Sequence, residues 1–187
     1  MGKKIGKKKS AMRKNCLLPL LFALPLMAAA ADSPPTVRAA LQSEVDRKAA
    51  PNFVLKDASG KTVNLAKYRG KVVLLDFWAT WCHGCKEEIP WFAGFQKQYG
   101  SRGFVVLGVS LDEDGWKVVQ PFLRDALVPY RVVLGGNPLA RQFGIADMLP
   151  DTFLIDRKGR IAAVYRGLVD QDDVQANIQA LVSQGVF

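Results

Sequence analysis

The chain is poor in the residues that most often carry catalysis and metal binding. Its 187 residues include one histidine, His83, and three cysteines, Cys16, Cys82 and Cys85. A structural zinc site wants four nitrogen or sulfur ligands, and no second cysteine pair exists to complete Cys82 and Cys85. A hydrolase built on a histidine base is equally excluded, because the single imidazole lies between two cysteines. Long apolar runs are scarce. The run over residues 16–31 is shorter than the roughly 20 residues of a spanning helix and holds Pro19 and Pro25. Excess charge is also scarce once the N-terminus is set aside. The chain carries +9, but seven of its 26 Lys and Arg fall in residues 1–31, where there is no acid. The remaining 19 basic and 17 acidic residues make no strong case for a nucleic-acid partner.

What is present begins with that N-terminus. A lysine-rich start, an apolar run and the small residues 28–31 have the form of a secretory signal. Ala29 and Ala31 fit an A-x-A cleavage site, with the mature chain starting near Asp32. Cys16 precedes the apolar core and is misplaced for lipid attachment, and no twin-arginine pair is present. The expected organisation is a signal peptide over 1–31, a linker over 32–50 with a short helix around 37–48, and one domain over 51–187. The expected location is periplasmic or otherwise secreted, or membrane-anchored if the signal is retained. Cleavage leaves Cys82 and Cys85 alone. Their bridge would close too small a loop to constrain the unfolded chain, so chemistry is a better reason for the pair than stability.

An apolar fraction of 49% suits a packed core. Residues 53–55 and 62–65 flank a turn at 57–60, the pattern of a β-hairpin. Residues 71–78 and 104–110 are near-continuous apolar runs, as in strands buried on both faces. Residues 83–99 take helical spacing through Ile89, Phe92, Phe95 and Tyr99, with Pro90 expected to kink the helix. A helix over 114–126 follows, with Trp116 in the core, then a strand over 130–134 and a short helix over 137–143. Strands over 152–155 and 161–165 flank a turn, and Asp170 caps a last helix. Alternating strands and helices predict an α/β fold: a central mixed β-sheet flanked by helices, with an N-terminal β-hairpin.

The chemistry gathers at Cys82. It opens the helix that follows a buried strand, where unsatisfied N–H groups and the helix dipole stabilise a thiolate. Cys82 is the expected nucleophile. Cys85, one turn further in, is the expected resolving thiol. A positive His83 would stabilise the Cys82 thiolate further and make the disulfide more oxidising; as an exposed side chain it would do little. Trp81 offers aromatic surface to a substrate or packs at the rim. Asp76 is a carboxylate in a strand that otherwise reads as core. Burial would raise its pKa and suit it to proton transfer, unless it faces water at an edge.

The string Phe77-Trp-Ala-Thr-Trp-Cys-His-Gly-Cys85 resembles the active site of the thioredoxin superfamily. Residues 50–53, 70–75 and 149–156 resemble one branch, the TlpA/ResA-like secreted thiol–disulfide oxidoreductases, and the likeness covers about residues 50–183. It implies a thioredoxin-like fold whose redox centre is the Cys82–Cys85 disulfide, with no other cofactor and no metal. Pro150 matches the cis-proline that faces the disulfide, and the backbone at Leu149 matches the segment that pairs with substrate. Trp81, His83 and Gly84 complete the expected substrate contacts. Asp76 matches the buried acid that assists Cys85. Glu88 matches a second acid of the ResA-like branch, although Glu87 and Glu88 also fit a solvated helix face. Two positions depart from the family. Gly84 stands where many relatives have proline, and Asp151 stands where threonine is common, at a place expected to disfavour acidic partners.

The resemblance implies a monomeric reductase of disulfides in exported proteins, with cytochrome c maturation or copper-site assembly as client pathways and a membrane thiol as electron donor. The alternatives are an oxidant or isomerase, and a Cu(I)-binding chaperone using Cys82, Cys85 and His83. A peroxiredoxin is excluded, because Thr80 stands two residues before Cys82 and not three, and no proline precedes it at the right spacing.

Overall fold

A computed structural model describes residues 1–2, 34–146 and 148–184. Nearly all of the expected signal segment therefore lies outside the described residues. The elements run in the order β1 (Val54–Lys56), β2 (Thr62–Asn64), β3 (Val72–Trp78), α1 (His83–Tyr99), β4 (Phe104–Ser110) and α2 (Trp116–Asp125). Then come β5 (Arg131–Leu134), α3 (Gly136–Gln142), β6 (Asp151–Ile155), β7 (Ile161–Arg166) and α4 (Gln171–Ser183). β1 and β2 form the expected antiparallel hairpin. The other five strands form one mixed sheet in the order β5-β4-β3-β6-β7.

β3 is buried along its whole length because both of its edges are paired. β4 runs parallel on one side and β6 antiparallel on the other. Alternation sends its side chains to opposite faces. Val72, Leu74 and Trp78 join the core that includes Phe92 and Phe95 of α1 and Ile178 of α4. Val73, Leu75 and Phe77 join a second core with Phe143 and Phe153. Asp76 follows the even-numbered register and faces the α1 side. Trp78 lies across Gly108 of β4, where a Cβ would come within 2.9 Å of the indole nitrogen. Only glycine leaves that space open.

α1 buries Ile89, Phe92, Phe95 and Tyr99, the apolar positions spaced by three and four in the sequence. Each large apolar side chain so buried contributes about 1.5–3 kcal/mol. Pro90 lies inside this helix. Asp170 caps α4 by accepting a hydrogen bond from Asp173 N at 3.0 Å.

Residues 34–50 correct the expectation of a mobile linker carrying a short helix. No helix forms there. The segment runs as a strap along β7 and the loop before α4. Val37 bridges Val169, and Ala49 bridges Arg160. Gln42 N donates to Ala162 O at 2.8 Å, and Ile161 N donates to Lys48 O at 2.8 Å. Arg47 is buried against Asp156 at 3.2 Å. Backbone hydrogen bonds, an ion pair and the packing of Val37, Ala39 and Leu41 against the first core hold the strap, and Ala40 blurs the short apolar alternation in the sequence.

Candidate active site

Cys82 and Cys85 are joined in a disulfide, with Cα atoms 5.4 Å apart. Cys82 is the N-cap of α1, and its Sγ accepts a hydrogen bond from Cys85 N at 3.2 Å. This sulfur therefore sits where the first orphan N–H groups of the helix point. It is 5% exposed, whereas Cys85 is fully enclosed. An incoming group reaches Cys82 first. The approach loop is fixed by Asp112, whose carboxylate accepts from Thr80 N at 3.0 Å, Thr80 Oγ1 at 2.6 Å and Ser110 Oγ at 2.9 Å. These bonds tie the residues just before Cys82 to the end of β4.

The Leu149–Pro150 peptide bond is cis. A Cβ built on Gly84 would lie 3.5 Å from Pro150 Cδ, so the proline ring stands against the loop between the cysteines. Trp81 is 70% exposed beside this junction. A groove of about 410 Å³ runs from Trp81 to Leu149 and Met148, past Glu113 and Asp114.

On the face of the sheet that carries the disulfide lie two acids that have no cationic partner among the described residues. Asp76 is fully buried, and its only hydrogen-bond partner among them is Thr152, whose Oγ1 donates to Oδ1 at 3.4 Å. Glu88, one turn after Cys85, is also buried and accepts from Val169 N at 2.7 Å. Asp76 Oδ2 and Glu88 Oε2 have no partner among the described residues. Burial is the main cause that raises both acids, Asp76 to about 8 and Glu88 to about 9. The Thr152 hydroxyl and the Val169 N–H pull them back only in part, and Asp76 repels Glu88. Asp76 thus lies in the core and not at a wet edge, and Glu88 is not on a solvated helix face. Both carboxyls are mainly protonated at pH 7, and their raised values place proton exchange in the range of about pH 8 to 9.

Residues 47–164 match the AhpC/TSA family. The chain belongs to that family. The thiol–disulfide oxidoreductase ResA of Bacillus subtilis strain 168 is 37% identical over 123 residues, which are 65% of this chain and 68% of that protein. ResA of Geobacillus thermodenitrificans strain NG80-2 is 32% identical over 132 residues, 71% of this chain and 75% of its own. A thioredoxin-family thiol:disulfide interchange protein from Chlorobium tepidum TLS superposes with a TM-score of 0.66 at 28% identity, covering 75% of this chain and 99% of that one. This AhpC/TSA member is a thiol–disulfide oxidoreductase, a redox enzyme with a thioredoxin-like fold.

Several other residues of the AhpC/TSA member answer sequence expectations. His83 is almost fully exposed, and its Nε2 lies 3.2 Å from Glu87 Oε1. A charge placed there is shared with Glu87 and screened by water. Asp151 does not meet substrates as a free charge. Its side chain is buried and forms an ion pair with Arg166, which in turn stacks on the Phe153 ring. The odd-numbered positions of β6 face the second core, so Asp151 points away from the face that holds Asp76. Trp116 packs against the first core but is only partly buried. Among the described residues no group of three or more His, Cys, Asp or Glu is placed to hold a metal ion.

Sequence reasoning misses Asp112 and two further parts of the site. Tyr130 is buried close enough to both acids that their charges, after burial itself, push its phenol upward. The loop 167–170 supplies the N–H that holds Glu88. In the sequence Tyr130 is an ordinary start of a strand. The loop acts through backbone atoms, for which side-chain patterns carry no signal.

Proposed function

We propose that this enzyme reduces disulfides in exported proteins by dithiol–disulfide exchange. The observation that carries the reading is the pairing of Cys82, the more exposed sulfur at a helix N-terminus, with an enclosed Cys85 on the same face of the sheet as two acids without cationic partners. In the reduced enzyme the Cys82 thiolate attacks one sulfur of a client disulfide. A mixed disulfide forms and a client thiolate leaves. Cys85 then gives its proton to the ionised fraction of Asp76 or Glu88, the minor form at pH 7, and attacks Cys82 Sγ. The mixed disulfide breaks, the client leaves with both sulfurs reduced, and the Cys82–Cys85 disulfide forms. Two electrons have passed from enzyme to client. A membrane thiol donor restores the dithiol.

The client lies along the groove beside Trp81, with its backbone against Leu149 and the cis-proline. His83 and Gly84 form the loop that it crosses. The resemblance to TlpA/ResA-like proteins supports clients of cytochrome c maturation or copper-site assembly. The basic and apolar N-terminal sequence supports export, with the signal removed or kept as an anchor. The exposure of His83 and its pairing with Glu87 favour the reductase over an oxidant, because they limit how far the imidazole can stabilise the thiolate.

Two measurements test the reading. Cys82→Ser abolishes reduction of insulin disulfides, while a distant surface substitution does not; retained activity in Cys82→Ser overturns it. The reduction potential of the pair is expected near that of thioredoxin, about −270 mV. A value of about −120 to −180 mV belongs to oxidants and isomerases and would reverse the direction assigned.

A further inference from the structure

The loop 167–170 touches four parts of the molecule at once. Gly167 N donates to the cis-proline carbonyl, Pro150 O, at 2.8 Å. The Leu168 side chain lies against Gly84, where a Cβ would be 3.8 Å from Leu168 Cβ. Val169 N donates to Glu88 Oε1 at 2.7 Å. The fourth contact is the strap. Val37 N donates to Leu168 O at 2.7 Å, and Asp170 N donates to Val37 O at 2.8 Å. One residue of the strap thus brackets Val169, the residue that holds Glu88.

We propose that Val37 is a positioning residue for the redox reaction: by bridging Val169 it holds the loop 167–170 against Glu88, Gly84 and the cis-proline, and so sets the redox equilibrium of the Cys82–Cys85 pair.

The geometry leaves the loop little freedom while the bridge is made. Gly167 has a φ of +119°, and a Cβ there would be 3.5 Å from Val37 Cγ1, so strap and loop are closely packed. The strap is itself tied down directly after the bridge. Arg38 pairs with Asp170 at 2.8 Å, Ala39 N donates to Asp173 Oδ2 at 3.1 Å, and Asn177 Nδ2 donates to Ala39 O at 2.7 Å. Releasing Val37 removes the partners of Leu168 O and Asp170 N. The Val169 N–H then loses its fixed aim at Glu88. That N–H is the one hydrogen bond that favours the charged form of Glu88. The titratable groups facing Glu88 are Asp76 on β3, Tyr130 ahead of β5, Cys85 on the preceding turn, and Glu87 beside it. The proposal rests on the reading of Glu88 as an acid serving the cysteines.

The test uses the full chain and a glutathione redox buffer at pH 7 and pH 9. Val37→Pro deletes the N–H that Leu168 O accepts. The equilibrium constant of the Cys82–Cys85 pair is read for this variant in the wild-type and Glu88→Gln backgrounds. The expected result is a change of about threefold or more in the wild-type background, about 14 mV, larger at pH 9, and little or none in Glu88→Gln. Arg38→Ala with Asn177→Ala, which loosens the strap without touching the loop's backbone, shifts the constant in the same direction. If Val37→Pro does not fold, that double variant is read by the same criterion. An unchanged constant, or an equal shift in both backgrounds, overturns the proposal. If Glu88→Gln by itself, with Val37 intact, leaves the constant of the wild type unchanged, the reading of Glu88 on which the proposal rests is overturned instead.

Discussion

The two faces of the sheet treat buried acids in opposite ways. On the face with Phe77, Phe143 and Phe153, Asp151 is paired with Arg166. Away from the disulfide, Asp57 lies 3.3 Å from Arg131, and Asp156 meets both Arg47 and Arg160. On the face with the disulfide, Asp76 and Glu88 meet no cation among the described residues. Trp78 Nε1 on that same face is also without a partner among them. One strand, β3, feeds both faces with residues a single position apart. A buried acid with an arginine fixes structure. A buried acid without one stays neutral, costs stability when it ionises, and is available to carry a proton.

The difference can be broken from either side. The largest expected effect on stability is Phe77→Ala, which empties the meeting point of the Phe143 and Phe153 rings, 5.0 and 5.7 Å away. Thermal or chemical unfolding should show a loss of about 3–5 kcal/mol, with the reduction potential unchanged. A shifted potential would mean that the faces are not independent.

Asp76→Asn acts the other way. The folded carboxyl holds its proton up to about pH 8, while its ordinary value is 3.8. The folded state therefore binds more protons between those values, and stability falls as pH rises through them. Unfolding of the oxidised protein, in which the cysteines do not titrate, should show Asp76→Asn more stable than wild type by about 1–3 kcal/mol at pH 9. The two should converge near pH 4. Equal stabilities at pH 9 would place the charge in a solvated or paired setting.

Arg166→Ala should cost about 1–2 kcal/mol in the same unfolding assay. That is less than a fully buried pair would lose, because Arg166 is half exposed. Activity should survive. The smallest effect belongs to His83→Ala. An exposed pair is worth at most about 1 kcal/mol, so the potential should move by no more than about 20 mV. A larger shift would restore the oxidant reading.

Much of the fold and of the site is legible in the amino-acid sequence. The apolar runs of β3 and β4 announce strands paired on both edges, and Cys82 at the opening of α1 announces the nucleophile. Asp76 stands out as a charge in a core strand. The strap is not legible, because Ala49 is held through backbone atoms, Arg47 through an ion pair, and Ala40 blurs the alternation of Val37, Ala39 and Leu41 on the core. The substrate-facing role expected of Asp151 fails for a related reason. Its position beside Pro150 is sequence information, but the arginine that neutralises it comes from β7, fifteen residues later.

The most direct test of the account is the reduction potential of the Cys82–Cys85 pair followed from pH 6 to pH 10 in wild type and in Asp76→Asn. If Asp76 exchanges its proton with the cysteine pair, the wild-type slope changes near pH 8 and the variant follows a different curve. If the two curves overlay across the whole range, the unpaired acid is a passive occupant of the core and the contrast between the faces has no bearing on the chemistry.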